Sequence, residues 1–116
     1  MHLCCKSAIV CLIPTGGADM NNLQILYSKD ADTQRIPASI SKVMTAICVL
    51  DLEKDLSKII TYKTADISIG AFYANDFAPG ETVTYEDAMY ALMLPSSNVS
   101  AMALARSAGE ALFKNN

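Results

Sequence analysis

The chain has 116 residues, enough for one domain with a modest hydrophobic core. Its 52% apolar content against 18% charged residues excludes a disordered segment. The net charge of −3 is scattered along the chain, and no basic run could neutralise a row of phosphates, so nucleic acid is not expected as a partner.

The first apolar segment could be an export signal or a strand. Lys6 interrupts it, and the run 8–13 is too short for the apolar core of a signal peptide, so no signal peptide is predicted. No apolar run is long enough for a transmembrane helix. We predict strands over residues 7–13 and 23–27, joined as a hairpin by the turn-rich segment PTGGADMNN.

The four cysteines lack the paired spacing of a zinc site, and two of them are adjacent. We predict ordinary free or buried thiols, which indicate no redox compartment. These cysteines are Cys4, Cys5, Cys11 and Cys48.

A helix is predicted to begin near Ala38 or Ser39, because Pro37 supplies a fixed φ suited to a first helical turn. The helix is apolar almost all round, which predicts burial on several sides. Its apolar residues are Val43, Met44, Ala46, Ile47, Val49 and Leu50.

A short strand is predicted over residues 59–62, and a long connection, typical of a functional loop, over residues 64–83. Thr84 followed by Asp87 fits a capping box, so a helix should start there and end before Pro95. A further helix, rich in alanine and methionine, is predicted over residues 98–113.

Ser39 and Lys42 are candidates for nucleophilic chemistry. The one histidine, His2, is too close to the terminus for a serine–histidine–carboxylate triad. On a helix, positions i and i+3 lie about 5–6 Å apart at Cβ, so the lysine amine can reach the serine hydroxyl. Apolar surroundings and the positive end of the helix dipole favour the neutral amine that a serine nucleophile needs as a base.

Two simpler interpretations compete with this one. About 0.4 matches to S-x-x-K are expected by chance in a chain of this composition, and a lysine can extend its amine out of an apolar helix into water. In the segment PSSN, Ser96 could relay a proton to Lys42 and Asn98 could bind a substrate carbonyl, but such residues also cap helices.

The segments IPASISKVMTA and APGETVTYEDAMYALMLPSSNVSAMALA, with the hairpin before them, resemble the serine-type D-alanyl-D-alanine carboxypeptidases, the low-molecular-weight penicillin-binding proteins, over residues 7–110. The resemblance implies that Ser39 is the acylated nucleophile and Lys42 its general base. It implies that Ser96 shuttles a proton and that Asn98 binds the peptide.

The resemblance also implies an α+β, β-lactamase/transpeptidase-like fold with an antiparallel sheet flanked by helices. The implied substrate is a peptidoglycan stem peptide ending in D-Ala-D-Ala, with β-lactams as acylating mimics and no cofactor or metal. The implied location is extracytoplasmic, in the cell envelope.

One departure from the family pattern is large, because no K-T-G follows PSSN and the nearest match, KTA at residues 63–65, precedes it. In the family, the K-T-G motif lies on a later sheet strand whose backbone supplies half of the oxyanion hole. One oxyanion donor is worth about 3–4 kcal/mol of the barrier. We therefore expect residues 1–116 to be the N-terminal portion of a single catalytic domain, impaired or inactive alone and prone to self-association. The open alternatives are a β-lactamase of the same fold and a non-catalytic fragment that binds muropeptides or β-lactams.

Overall fold

The computed structural model describes residues 4–12, 23–70 and 77–114. The chain divides into two compact units, Met1–Ile36 and Pro37–Asn116, and each is described separately.

The first unit contains the predicted hairpin. Strand β1 (Ala8–Leu12) pairs antiparallel with β2 (Gln24–Lys29), and the register shifts between Val10 and Cys11. The enlarged loop predicted between them falls at residues 13–22, outside the described residues. Arg35 ties the end of this unit to its beginning, because its guanidinium donates to the Ser7 hydroxyl.

In the second unit, helix α1 (Ser41–Leu52) follows a 3₁₀ turn at Ala38–Ile40. Its buried residues are Lys42, Ala46 and Val49, a spacing that places them on one face. The prediction of burial on several sides is wrong for the described residues, because the buried residues of α1 all lie on this one face. The apolar side chains that remain 44–62% exposed are Val43, Met44, Ile47 and Leu50.

Two short strands and a short helix follow α1. Strand β3 (Ile59–Thr61) occurs where a strand was predicted, and it pairs antiparallel with β4 (Thr82–Thr84). The predicted long connection contains helix α2 (Thr64–Gly70), which the sequence interpretation missed. The Asp66 carboxylate accepts the backbone N–H of Lys63 at 2.8 Å, the half of a capping box that starts this helix.

The last two helices confirm the predictions closely. Helix α3 (Tyr85–Met93) begins after Thr84, whose hydroxyl oxygen accepts the N–H of Asp87 at 3.0 Å, and it ends before Pro95. Helix α4 (Asn98–Lys114) ends one residue beyond its predicted limit.

Helix α4 carries much of the core, packing against α1, α2 and α3. The helices and two small antiparallel sheets form an α+β structure, as predicted. The four cysteines lie in the described ranges and are free thiols. None of the helices in these ranges is long and apolar enough to cross a membrane. The buried apolar core residues are Ala46, Val49, Ile60, Tyr62, Tyr85, Ala88, Leu92, Val99, Ala103, Leu104 and Ala108.

An ion pair between the partly buried Arg106 and the buried Asp66 joins α2 to α4. The Arg106 guanidinium donates to both carboxylate oxygens of Asp66, at 2.9 and 2.7 Å, and to the backbone oxygen of Thr61 at 2.8 Å. Burial opposes the charged form of Asp66, but the hydrogen bonds from Arg106 and from the Lys63 backbone outweigh it and lower the pKa of this carboxyl. The charged pair therefore fixes α4 against α2 and β3.

Candidate active site

Ser39 and Lys42 meet at the start of α1. Ser39 lies exposed in the 3₁₀ turn, and Lys42 is the second residue of the α-helix. Side chains three positions apart eclipse in a 3₁₀ turn, which stacks the lysine close to the serine. The Lys42 amine donates to the Ser39 hydroxyl oxygen at 3.4 Å. Ala38, just before the serine, has a positive φ of 47°.

Lys42 does not extend into solvent. Only 8% of the residue is exposed, and its amine donates to Oδ1 of Asn98 at 2.6 Å. None of the ion pairs formed within the described ranges includes Lys42. Within these ranges, the hydrogen bonds of this buried amine thus go to a hydroxyl and a carboxamide oxygen.

Two residues of the segment PSSN, Ser97 and Asn98, have different roles. Ser97 caps α4, because its hydroxyl oxygen accepts the backbone N–H of Ser100 at 3.0 Å. Asn98, the first residue of α4, directs its carboxamide oxygen to Lys42 instead. The interpretation of PSSN as a helix cap alone therefore accounts for Ser97 and not for Asn98.

A cleft of about 340 Å³ lies over this cluster and is lined by Ser39, Pro95, Ser96 and Asn98. Ser96 faces the same cleft, but within the described ranges the hydrogen bonds of Lys42 go to Ser39 and Asn98 and not to Ser96. Ser96 has a positive φ of 63°, a conformation that is strained for a residue with a Cβ. Such strain is often found at functional sites.

This arrangement can perform nucleophilic chemistry. It places a hydroxyl in an open cleft, a buried amine within reach of that hydroxyl, and an amide that fixes the amine. The distance of 3.4 Å between Lys42 Nζ and Ser39 Oγ is long for a hydrogen bond, as is common for catalytic pairs before substrate binds.

The segment KTA does not contribute to this site. The amine of Lys63 forms an ion pair with Glu110 at 2.8 Å, and Thr64 and Ala65 lie in α2 rather than in a strand. None of the three residues of KTA lines the cleft.

Sequence reasoning missed two features of the site. Pro95 was interpreted only as the end of a helix, although it lines the cleft. The left-handed backbone at Ala38 carries no signal in the sequence, since alanine does not favour that conformation.

The chain is similar to known proteins over most of its length. The family model for D-alanyl-D-alanine carboxypeptidase matches residues 6–111, which include all the residues of the cleft. A D-alanyl-D-alanine carboxypeptidase from a Streptomyces strain is 38% identical over 96 residues. The match covers 78% of this chain and 33% of that protein, so the chain spans about one third of the length of this relative. No solved structure matches the chain significantly. On the extent of the family match and the identity to this relative, the chain belongs to the D-alanyl-D-alanine carboxypeptidase family.

Proposed function

We propose that this chain carries the acylation site of a serine-type D-Ala-D-Ala carboxypeptidase. Ser39 is the nucleophile, Lys42 its general base, Ser96 a proton relay, and Asn98 a ligand for the peptide carbonyl. One observation carries the proposal: in a member of this family, a buried lysine amine lies within reach of both an exposed serine hydroxyl and the asparagine amide.

The proposed reaction is acyl transfer from a peptidoglycan stem peptide. The oxygen of Ser39 attacks the carbonyl carbon of the penultimate D-alanine, and its proton passes to the Lys42 amine. The bond to the nitrogen of the terminal D-alanine then breaks, and the proton returns to this leaving amine through Lys42 and Ser96. Water hydrolyses the ester on Ser39 and releases the shortened peptide.

We place residues 1–116 in the N-terminal portion of a single β-lactamase/transpeptidase-like catalytic domain at the cell envelope. The order of the motifs and the one-third coverage of the Streptomyces relative support this placement. Because no K-T-G follows PSSN in these residues, the chain alone should be acylated slowly, with one oxyanion donor absent.

Labelling with a β-lactam tests the proposed site. After incubation with a fluorescent penicillin, the wild type should gain the mass of one drug molecule, and Ser39→Ala should not. Ser41→Ala is the matched control, because Ser41 lies two residues away and its hydroxyl donates to the carbonyl of Ala38 at 2.7 Å. An adduct that persists in Ser39→Ala contradicts the assignment of the nucleophile.

The fate of the adduct separates the enzyme classes. A long-lived adduct is expected of a carboxypeptidase, whereas rapid return to the unmodified mass with hydrolysed drug would identify a β-lactamase. A wild type that retains the penicillin without any mass increase would identify a non-catalytic binding protein.

We also propose that the isolated chain self-associates through the exposed apolar face of α1, because contiguous apolar surface favours association. Met44 and Ile47 lie on that face and are 62% and 55% exposed. Light scattering should therefore give more than one chain per particle for the wild type and a lower mass for Ile47→Lys. A monomeric wild type contradicts this.

A further inference from the structure

We infer that Tyr62 is a positioning residue for the candidate site: its hydroxyl, through Ser100, fixes the first turn of α4 and so holds the Asn98 carboxamide against the Lys42 amine. The predicted effect on acylation rests on the proposed function. The effect on the contact between Asn98 and Lys42 does not, and it can be measured separately.

Tyr62 is held firmly by its surroundings. Its backbone N–H donates to the carbonyl of Glu81 at 2.9 Å, and its own carbonyl accepts the N–H of Gly80 at 2.8 Å. Its ring stacks on Phe77 with centroids 4.2 Å apart and planes 10° from parallel. Only 1% of Tyr62 is exposed, so its hydroxyl is a fixed point inside the second unit.

That hydroxyl is hydrogen-bonded to the first turn of α4. The oxygen atoms of Tyr62 and Ser100 lie 2.9 Å apart, and Ser100 is fully buried. The backbone N–H of Ser100 is also bound, because it donates to the Ser97 hydroxyl oxygen. A buried hydroxyl that loses its partner must find another, so removing the Tyr62 hydroxyl should shift this turn.

Asn98 lies within the turn that Ser97 and Ser100 define. Its contact with Lys42 is short, at 2.6 Å, while the contact between Lys42 and Ser39 is already long, at 3.4 Å. A small displacement of Asn98 therefore frees the amine to move away from the nucleophile. Errors of about 1 Å in the position of reacting groups can cost about a hundredfold in rate.

Tyr85, the first residue of α3, offers a control. It is also buried, at 4% exposure; burial raises the pKa of its hydroxyl, and the side chain of Ser107 on α4 partly opposes this. Ser107 lies about two and a half turns beyond Asn98, so removing the Tyr85 hydroxyl should affect α4 far from the site. Tyr62→Phe removes the hydrogen bond to Ser100, whereas Tyr85→Phe removes the hydroxyl of a second buried tyrosine and leaves that bond in place.

Nuclear magnetic resonance of the drug-free protein tests the positioning. The side-chain amide signals of Asn98 and the side-chain signals of Lys42 are compared in the wild type and the two tyrosine variants. Both variants should have lower melting temperatures, but only Tyr62→Phe should shift these signals. If Tyr62→Phe does not fold, Ser100→Ala removes the other half of the bond and should give the same shifts. Unchanged Asn98 and Lys42 signals in a folded variant that lacks this bond overturn the inference.

Acylation by fluorescent penicillin gives the functional measurement. Tyr62→Phe should be acylated about three- to tenfold more slowly than the wild type, the range expected for one lost hydrogen bond, and Tyr85→Phe at the wild-type rate. Equal slowing in both variants would overturn the inference, since it would indicate general destabilisation. If the wild type itself forms no adduct, the proposed function fails, and the resonance measurement still decides the positioning role.

Discussion

The amine of Lys42 lies 2.6 Å from the carboxamide oxygen of Asn98, although the two residues are 56 positions apart in the sequence. Tertiary packing creates this contact. Lys42, Ala46 and Val49 form the buried face of α1, which packs against α4, and Asn98 is the first residue of α4. The packing of two helices thus sets the distance between the candidate base and its amide partner.

Replacement of Lys42 by methionine tests whether its amine acts as the base. Methionine keeps the apolar stem but cannot accept the proton of Ser39, so adduct formation should slow by about a hundredfold or more. The measurement is the rate of mass increase with a β-lactam.

Lys54→Met is the control for this change, because Lys54 follows α1 closely and its side chain is 73% exposed. Its amine donates to the carbonyl of Leu50 at 2.8 Å and to the carboxylate of Asp51 at 3.5 Å, away from the cleft. Acylation of Lys42→Met at the wild-type rate would show that another group activates the serine.

The buried carboxylate of Asp66 should make stability depend on pH. Hydrogen bonds from Arg106 and the Lys63 backbone hold its pKa below the ordinary 3.8 in the folded chain despite burial. The stabilisation is therefore complete above the unfolded pKa and is lost as the pH falls through the lower, folded value. Asp66→Asn should cost about 3 kcal/mol at neutral pH, and the difference from the wild type should shrink below pH about 4.

Urea unfolding at a series of pH values measures this difference. Asp51→Asn is the control, because the Asp51 side chain is 84% exposed and its removal should change the free energy of unfolding by less than about 0.5 kcal/mol. A constant difference between wild type and Asp66→Asn from neutral to acidic pH would contradict the assigned role of this carboxylate.

The cap of α3 provides a test of local stability outside the site. Thr84 accepts the N–H of Asp87 at 3.0 Å and donates to its carboxylate at 2.7 Å. Thr84→Ala should lower the free energy of unfolding by about 1 kcal/mol, measured with urea. Thr82→Ala is the control. Thr82 is an exposed residue of β4 two positions earlier and is not the cap of α3, so its replacement should lower the free energy of unfolding clearly less. Equal losses of stability in the two variants would mean that the lower strand propensity of alanine, and not the loss of the cap, accounts for the effect.

Local patterns in the sequence predicted much of this fold. The capping pair Thr84 and Asp87 and the break at Pro95 located α3, and two short extended runs on either side of a turn-rich segment located the hairpin. These elements depend on interactions between neighbours in the chain, which the sequence displays directly.

The sequence-based predictions failed where contacts between distant parts of the chain, and not local sequence, determine the structure. Composition alone could not show that only one face of α1 is covered. Helix α2 was missed because it has seven residues and depends on Asp66, which is held by Arg106 from α4, 40 positions away. Likewise, S-x-x-K placed Ser39 near Lys42, but no pattern within either helix gives the distance from Lys42 to Asn98.

Ser96→Gly should change stability and acylation in opposite directions. Ser96 has a φ of 63°, which glycine adopts without a steric cost, so the variant should be more stable by up to about 1 kcal/mol. The same change removes the hydroxyl proposed as the proton relay, so acylation should slow by about a hundredfold.

Asp30→Gly is the control, because Asp30 has a φ of 44° outside the cleft, and glycine there should stabilise the chain and leave acylation unchanged. If Ser96→Gly becomes more stable and is acylated at the wild-type rate, the serine serves the backbone conformation at most, and Lys42 must return the proton to the leaving amine without it.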